Sequence, residues 1–414
     1  MKFKICNLSE NLNFTELYKK DETERCIGYY KMNNISLNGR NTYYPNVLLY
    51  NDSLINPYDE MVMSLGKKSF YDEEYEIINK NNILIENPYP VFFFIYNFDN
   101  YYHFLYDTLP YLFTFLELKK TIPNLKLLIN YPNQTNTFYK FNLEFLSKIV
   151  NLNDLLIHSN YVYKEMYVST SLTHGGYSNN PPRKEIFQIY DILKNNIDYS
   201  NINEKIKTFN KIYISRRTWI NNDTSNIGTD YTSRRKMMNE DILVESLKEK
   251  GFTEIFSENL NTDEKIFLFS NADIIVGAIG GGMANLLFSK SVSKSYVFVT
   301  PYFLDINYRF KYSMEHTNIQ YVRDVTTYIE DKNQIIPLYC RVKIKNCEQS
   351  IGEISVYDCT NHKYLVKLSN GVAGFNNKSI FENKWFLSNE FELLDHGLNS
   401  PYIINIGLLL EIIE

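Results

Sequence analysis

The chain has 414 residues, 44% of them hydrophobic and 15% aromatic, which suits two or three globular domains and excludes a disordered, collagenous or low-complexity chain. Its formal net charge is -5, without the basic excess of a nucleic-acid binder, so no nucleic-acid partner is expected. Cys6, Cys26, Cys340, Cys347 and Cys359 form no C-x-x-C pair and read as free, mostly buried thiols in a reducing compartment.

The chain opens on MKFKICNLSENL, which lacks the apolar stretch of a signal peptide. Residues 1–90 are rich in Tyr and Asn, with short strands expected at 46–50 and 82–85. The continuous apolar run VFFFIY at 91–96 predicts a buried strand, and it is far too short to span a bilayer. A cytoplasmic protein without a transmembrane segment is expected. A helix follows over 103–119, interrupted at Pro110, then a strand at 125–129. Phe141, Leu143, Phe145, Leu146 and Ile149 predict a helix over 138–150, with strands after it at 155–158 and 166–168.

The segment GGYSNNPP at 175–182 reads as a linker. Beyond it the pattern predicts a helix at 184–195, a strand at 211–215, a helix at 240–250 ended by Gly251, and a strand at 253–256. A helix at 262–270, a strand at 273–276, a short helix at 282–288 and a strand at 296–299 complete the series. Such alternation implies parallel sheets. Two alternating blocks around a linker predict an α/β chain of two Rossmann-like domains facing a cleft, at 1–180 and 181–335. From 336 to 414 the alternating runs 341–344, 354–357 and 364–368 predict antiparallel strands, with one helix at 380–387, in a small C-terminal β-rich appendage.

The sequence holds 51 Asn but only 4 Ala and 10 Arg, so Ala, Gly and Arg carry more information here than Asn, Ile or Lys. Ala272, Ala278 and Ala284 cluster with Gly277, Gly280, Gly281 and Gly282, between an expected strand and an expected helix. So many missing side chains permit close backbone approach, and bare amides at a helix start suit a phosphate or diphosphate. Tight strand–helix packing alone is the competing explanation. No G-x-G-x-x-G register fits the loop.

Arg216, Arg217, Arg234 and Arg235 form two Ser-Arg-Arg triplets, the first at the end of the KIYIS strand. Strand C-termini are where ligands sit in open α/β sheets, and guanidinium forks suit a departing diphosphate. Solvated basic patches are the plainer alternative, above all for the second pair.

His103 and Asp107 are four apart in an expected helix and so share a face. A carboxylate beside an imidazole orients it and raises its basicity, and either group could take a proton from a hydroxyl. A histidine that merely caps or packs is the alternative. The sequence contains no Asp-x-Asp, which weighs against a carboxylate-held divalent cation, and no P-loop or G-x-S-x-G motif.

Taken in order, these segments resemble glycosyltransferase family 61. The resemblance rests on His103-Phe104-Leu105-Tyr106-Asp107-Thr108-Leu109-Pro110, on the strand leading to Arg216-Arg217, and on Arg235 before Asn239-Glu240. It continues through Gly251-Phe252, Glu258, Leu260 and Glu264 to the loop from Val276 to Phe288, covering about residues 91–301. The family's loop usually carries His where this chain has Ile279, and Ala where it has Gly281.

The resemblance implies a GT-B-like architecture and inverting, metal-independent sugar transfer without a cofactor. The donor would be a nucleotide sugar, with a UDP-sugar favoured, and the acceptor a hydroxyl of a glycan or glycoprotein. It implies donor binding by Arg216, Arg217, Arg235, Glu258, Gly280, Gly281, Gly282, Met283 and Asn285, and proton abstraction by Asp107 or by His103 backed by Asp107. The transition state would be oxocarbenium-like. A catalytically degenerate glycan- or partner-binding module of the same fold is the second expectation.

Overall fold

The computed structural model describes residues 4–7, 14–18, 26–38, 47–50, 53–56, 85–94, 101–129, 140–158, 161–170, 172–173, 182–217, 235–299, 318–322, 325–327, 336, 338, 340–346, 350–370, 382–394 and 400–414. The expected linker lies almost wholly outside these residues, as do Arg234 and Cys347. The fold is mixed α/β with parallel sheets.

The first sheet is built from β1 (Lys4–Asn7), β2 (Phe14–Glu16), β3 (Gly28–Asn38), β4 (Val47–Tyr50), β5 (Ser53–Asn56), β6 (Ile85–Asn87), β7 (Val91–Phe93), β8 (Lys126–Ile129), β9 (Leu155–Ile157) and β10 (Tyr161–Ser169). Its order is β1-β5-β4-β3-β10-β7-β8-β9, with β2 also on β3 and β6 also on β10. Strands β10, β7, β8 and β9 run parallel, as the alternation predicts. The sheet as a whole is mixed, because β3 pairs antiparallel with β10 and carries the early strands with it. Its parallel centre is fully buried at Val91, Phe92 and Phe93, which explains the unbroken apolar run.

The second sheet holds β11 (Lys211–Ile214), β12 (Thr253–Ile255), β13 (Ile274–Ala278), β14 (Lys294–Phe298) and β15 (Asn318–Val322). All its pairings are parallel, in the order β12-β11-β13-β14-β15. In that order the chain turns opposite ways on leaving β11 and β13, so the gap between them is a topological switch point.

Helices lie between the two sheets and join their cores. Phe145, from the Lys140–Ile149 helix, stacks on Phe288 beyond β13 with 6.1 Å between ring centroids, and Tyr190 of the Gln188–Asn195 helix meets the same ring edge-on. Lys148 and Asp263 form a 2.5 Å ion pair across the same layer. The Thr262–Asn271 helix begins with a capping box, in which Asn261 and Glu264 each satisfy the other's backbone amide. The Glu240–Glu249 helix stops at Gly251, whose φ of 81° is the left-handed conformation that glycine adopts without strain.

Two expectations need correction. The segment expected as a helix at 380–387 is β20 (Glu382–Leu387), in an antiparallel sheet with β17 (Arg341–Ile344), β18 (Ser350–Asp358), β19 (Lys363–Asn370) and β21 (Phe391–Leu393). Cross-strand pairing along β19 decides this, since Leu365 faces Trp385 and Tyr364 faces Phe386. The β-rich region also ends before residue 414. Strand β22 (Tyr402–Ile404) pairs with β16 (Val325–Thr327), and the Ile406–Ile413 helix buries Leu409 and Ile413 among Leu243, Val244 and Val276 of the second sheet's layer. No helix among the described residues is long and apolar enough to cross a membrane.

Candidate active site

Residues 101–119 are helical but not one regular helix. A turn at Tyr101–His103 leads into a π-helical stretch at Phe104–Thr108, a 3-10 turn at Leu109–Tyr111 and an α-helix at Leu112–Lys119. Pro110 has no amide hydrogen to donate, so the hydrogen-bond ladder re-registers around it. The wide turn still places His103 over Asp107, with Nδ1 2.6 Å from Oδ2. The Asp107 side chain is 3% exposed and that of His103 30%. A carboxylate this buried cannot meet a substrate readily. The imidazole, 30% exposed, is the more accessible of the two.

The donor-side residues expected from the sequence cluster at the C-terminal ends of three adjacent strands. Arg216 follows β11, Glu258 lies in the turn after β12, and Gly280, Gly281 and Gly282 follow β13. Arg216 Nη1 lies 3.4 Å from the Ile279 carbonyl oxygen, and a Cβ on Gly280 would sit 3.3 Å from that same nitrogen. Gly281 is exposed, with open space where a side chain would be. A Cβ on Gly282 would stand 2.8 Å from both Ile214 and the Ser257 hydroxyl, so the turn comes closer to β11 and the Ser257–Asn259 turn than any side chain would allow.

Arg235 adopts a φ of 53°, unusual for a residue with a side chain. The C-terminal segment brackets its turn: Tyr402 N donates to the Lys236 carbonyl at 2.9 Å, and Met238 N to the Tyr402 carbonyl at 2.8 Å. Burial raises the Tyr402 phenol above its ordinary range, against the pull of Arg216 and Arg235, whose charges both reach it. Arg235 and Arg216 thus both lie within electrostatic reach of Tyr402.

Other expected donor-side residues are engaged within the fold. Arg217 forms a fork with Glu254, through Nε at 2.9 Å and Nη2 at 2.7 Å, and also pairs with Asp241. Met283 is fully buried, its sulfur packed on Gly277. Asn285 is fully buried too, accepting from the Tyr101 hydroxyl at 2.5 Å and donating to the Gly282 carbonyl at 2.9 Å. The expected helix after the glycines is a 3-10 run of 6 residues, Met283–Phe288, too short to supply the dipole of a regular helix.

Those last bonds tie the two halves of the site together. Tyr101 reaches Asn285, and the Tyr106 hydroxyl donates to the Ala284 carbonyl at 3.2 Å. The segment that carries the His103–Asp107 pair is thus bonded to the Met283–Phe288 run that follows the glycines.

In the sequence Glu240 figures only as part of the Asn239-Glu240 pair, with no role in the site. It is 2% exposed and accepts from the Tyr213 hydroxyl at 2.8 Å, the Ser215 hydroxyl at 3.2 Å and the Arg216 amide at 2.9 Å. It fixes the path of the chain just where Arg216 leaves β11. Burial raises its pKa, and the hydrogen bonds and the Arg216 charge work against that rise. A carboxylate in the first turn of a helix is ordinary, so only its depth marks it, and depth is not visible in sequence.

No curated protein matches the chain. The model of the family described as Glycosyltransferase 61 matches residues 101–295, a span that contains every residue discussed above except Tyr402. The matched segment, a little under half of the chain, is similar to glycosyltransferase family 61, and that similarity supports a glycosyltransferase.

Proposed function

We propose that the protein is an inverting, metal-independent glycosyltransferase of GT-B-like layout, moving a sugar from a nucleotide sugar, with UDP-sugars the first choice, to a hydroxyl of a glycan or glycoprotein. The observation that carries this reading is that the segment bearing the His103–Asp107 pair is bonded, through Tyr101 and Tyr106, to the run that follows the glycine turn. In it, the donor diphosphate lies along the backbone of Gly280, Gly281 and Gly282, with Arg216 and Arg235 supplying positive charge. Those cations stabilise the diphosphate as it departs, the task a metal performs elsewhere. Glu258, exposed beside the turn, accepts hydroxyl groups of the donor. Arg217, Met283 and Asn285 serve as the frame that holds these groups.

His103 is the base in this reading, and Asp107 fixes its tautomer and orientation. The acceptor hydroxyl gives its proton to the imidazole as its oxygen bonds to the anomeric carbon. The bond from that carbon to the phosphate oxygen breaks, and the nucleoside diphosphate leaves with the electron pair. Attack from the face opposite the leaving group inverts the anomeric centre.

The test is release of free nucleoside diphosphate from a panel of nucleotide sugars, with glycan and glycoprotein acceptors, in the presence of a chelator. Turnover of one donor, with a product of inverted anomeric configuration, is the expected result. Turnover that appears only with added divalent cation, or a product of retained configuration, would overturn it.

A further inference from the structure

We propose that Lys265 is a further cation of the donor site, holding the donor diphosphate together with Arg216. This rests on the reading of the site as a nucleotide-sugar site. Lys265 stands in the first turn of the Thr262–Asn271 helix, whose capping box sets its start. Its Nζ lies 5.1 Å from the centroid of the Tyr101 ring, and the hydroxyl of that ring is bonded to Asn285 of the turn. Through that ring Lys265 adjoins the Met283–Phe288 run that follows the glycines.

Glu258 relates the two cations. Its carboxyl lies within electrostatic reach of both Lys265 and Arg216. Three carboxylates surround Lys265: Glu144 from the Lys140–Ile149 helix, Glu258 from the turn after β12, and Glu264 from its own helix. Burial nevertheless lowers its pKa. A cation in that setting gains from an anion brought close, because the anion replaces the water it lost. The plainer role is a lysine stem covering Tyr101, with its head steadied by carboxylates. The two roles differ in whether ligand charge matters.

Calorimetry with uridine, guanosine, cytidine and adenosine diphosphates, each beside its parent nucleoside, separates them. Lys265→Met should weaken the diphosphate that binds wild type by about tenfold or more and leave the nucleoside unchanged. Lys265→Gln should show the same selective loss, and Lys265→Arg should keep affinity within a few-fold. Equal diphosphate binding by Lys265→Met and wild type would overturn the proposal. So would equal weakening of diphosphate and nucleoside, the mark of a structural role. If wild type binds none of the four diphosphates, the nucleotide-sugar reading itself fails, and this inference with it.

Discussion

The Tyr101 hydroxyl donates a 2.5 Å hydrogen bond to Asn285 Oδ1, and Asn285 Nδ2 donates onward to the Gly282 carbonyl at 2.9 Å. The chain segment bearing the His103–Asp107 pair and the glycine turn after β13 are thus one connected unit. Burial pushes the Tyr101 phenol far above its ordinary range, so it remains a donor throughout the working pH range. Phe at this position would keep the ring that faces Lys265, Phe141 and Phe145 while leaving Asn285 Oδ1 without its partner. Tyr101→Phe should lose about 1–3 kcal/mol of stability in urea unfolding. It should also lower kcat more than it raises the donor KM, because the two halves of the site lose their alignment.

The His103–Asp107 pair makes a second prediction. His103→Gln should lower turnover by roughly 10²–10⁴-fold with little change in nucleoside diphosphate affinity. Asp107→Asn should lower it strongly as well, since an amide can present a hydrogen to Nδ1 and reverse the tautomer. Full turnover by Asp107→Asn, measured as diphosphate release, would show that the 2.6 Å contact does not set the imidazole's role.

The adjacent arginines should part company. Arg216 lies against the glycine turn, and Arg216→Met should weaken diphosphate binding by about tenfold, with a loss of only about 1 kcal/mol of stability from the Ile279 hydrogen bond. Arg217 is forked onto Glu254, whose side chain is 10% exposed. Arg217→Met leaves Glu254 with Lys248 at 3.7 Å as its remaining cation and should cost about 1–3 kcal/mol in denaturant unfolding. Comparable nucleotide affinity in the folded Arg217→Met protein would confirm its part as frame; selective loss of affinity would return it to the ligand.

Much of this arrangement was legible in the sequence, for reasons the structure makes plain. A parallel strand buried on both faces reads as an unbroken apolar run, as at 91–93, and its successors read as alternating elements. The glycine turn stood out because Gly282 and Gly277 are sites of close approach where few residues fit, and composition exposes such places. What remained hidden depends on long-range pairing. Arg217 looks identical to Arg216 until Glu254 arrives from β12, 37 residues later. Glu382–Leu387 has apolar residues compatible with a helix, and only its register against β19 makes it a strand. The Tyr402–Ile404 strand could not be assigned to the second sheet's layer from its own residues. Asn239 places it there, donating to the Ile404 carbonyl at 2.8 Å and accepting from the Ile404 amide at 3.1 Å.

His158 supplies a prediction that turns on pH. Its Nδ1 lies 3.1 Å from the Tyr163 hydroxyl at the end of β9, and burial pushes the imidazole down to about 4. The unfolded chain titrates near the ordinary value of about 6.5, so between the two values it binds a proton that the folded protein refuses. The sign follows directly: this stability is fully present above about 6.5 and is lost as pH falls through that window toward the folded pKa. The full effect is about 3 kcal/mol at most, and less to the extent that water reaches the ring. Urea unfolding of wild type and His158→Gln at about pH 7 and about pH 4.5 isolates it, because the carboxylates contribute equally to both proteins. Wild type should lose more stability than the variant over that interval. Equal losses would mean that the ring takes up its proton without leaving the fold, and that the Tyr163 hydroxyl serves the charged imidazole as well as the neutral one.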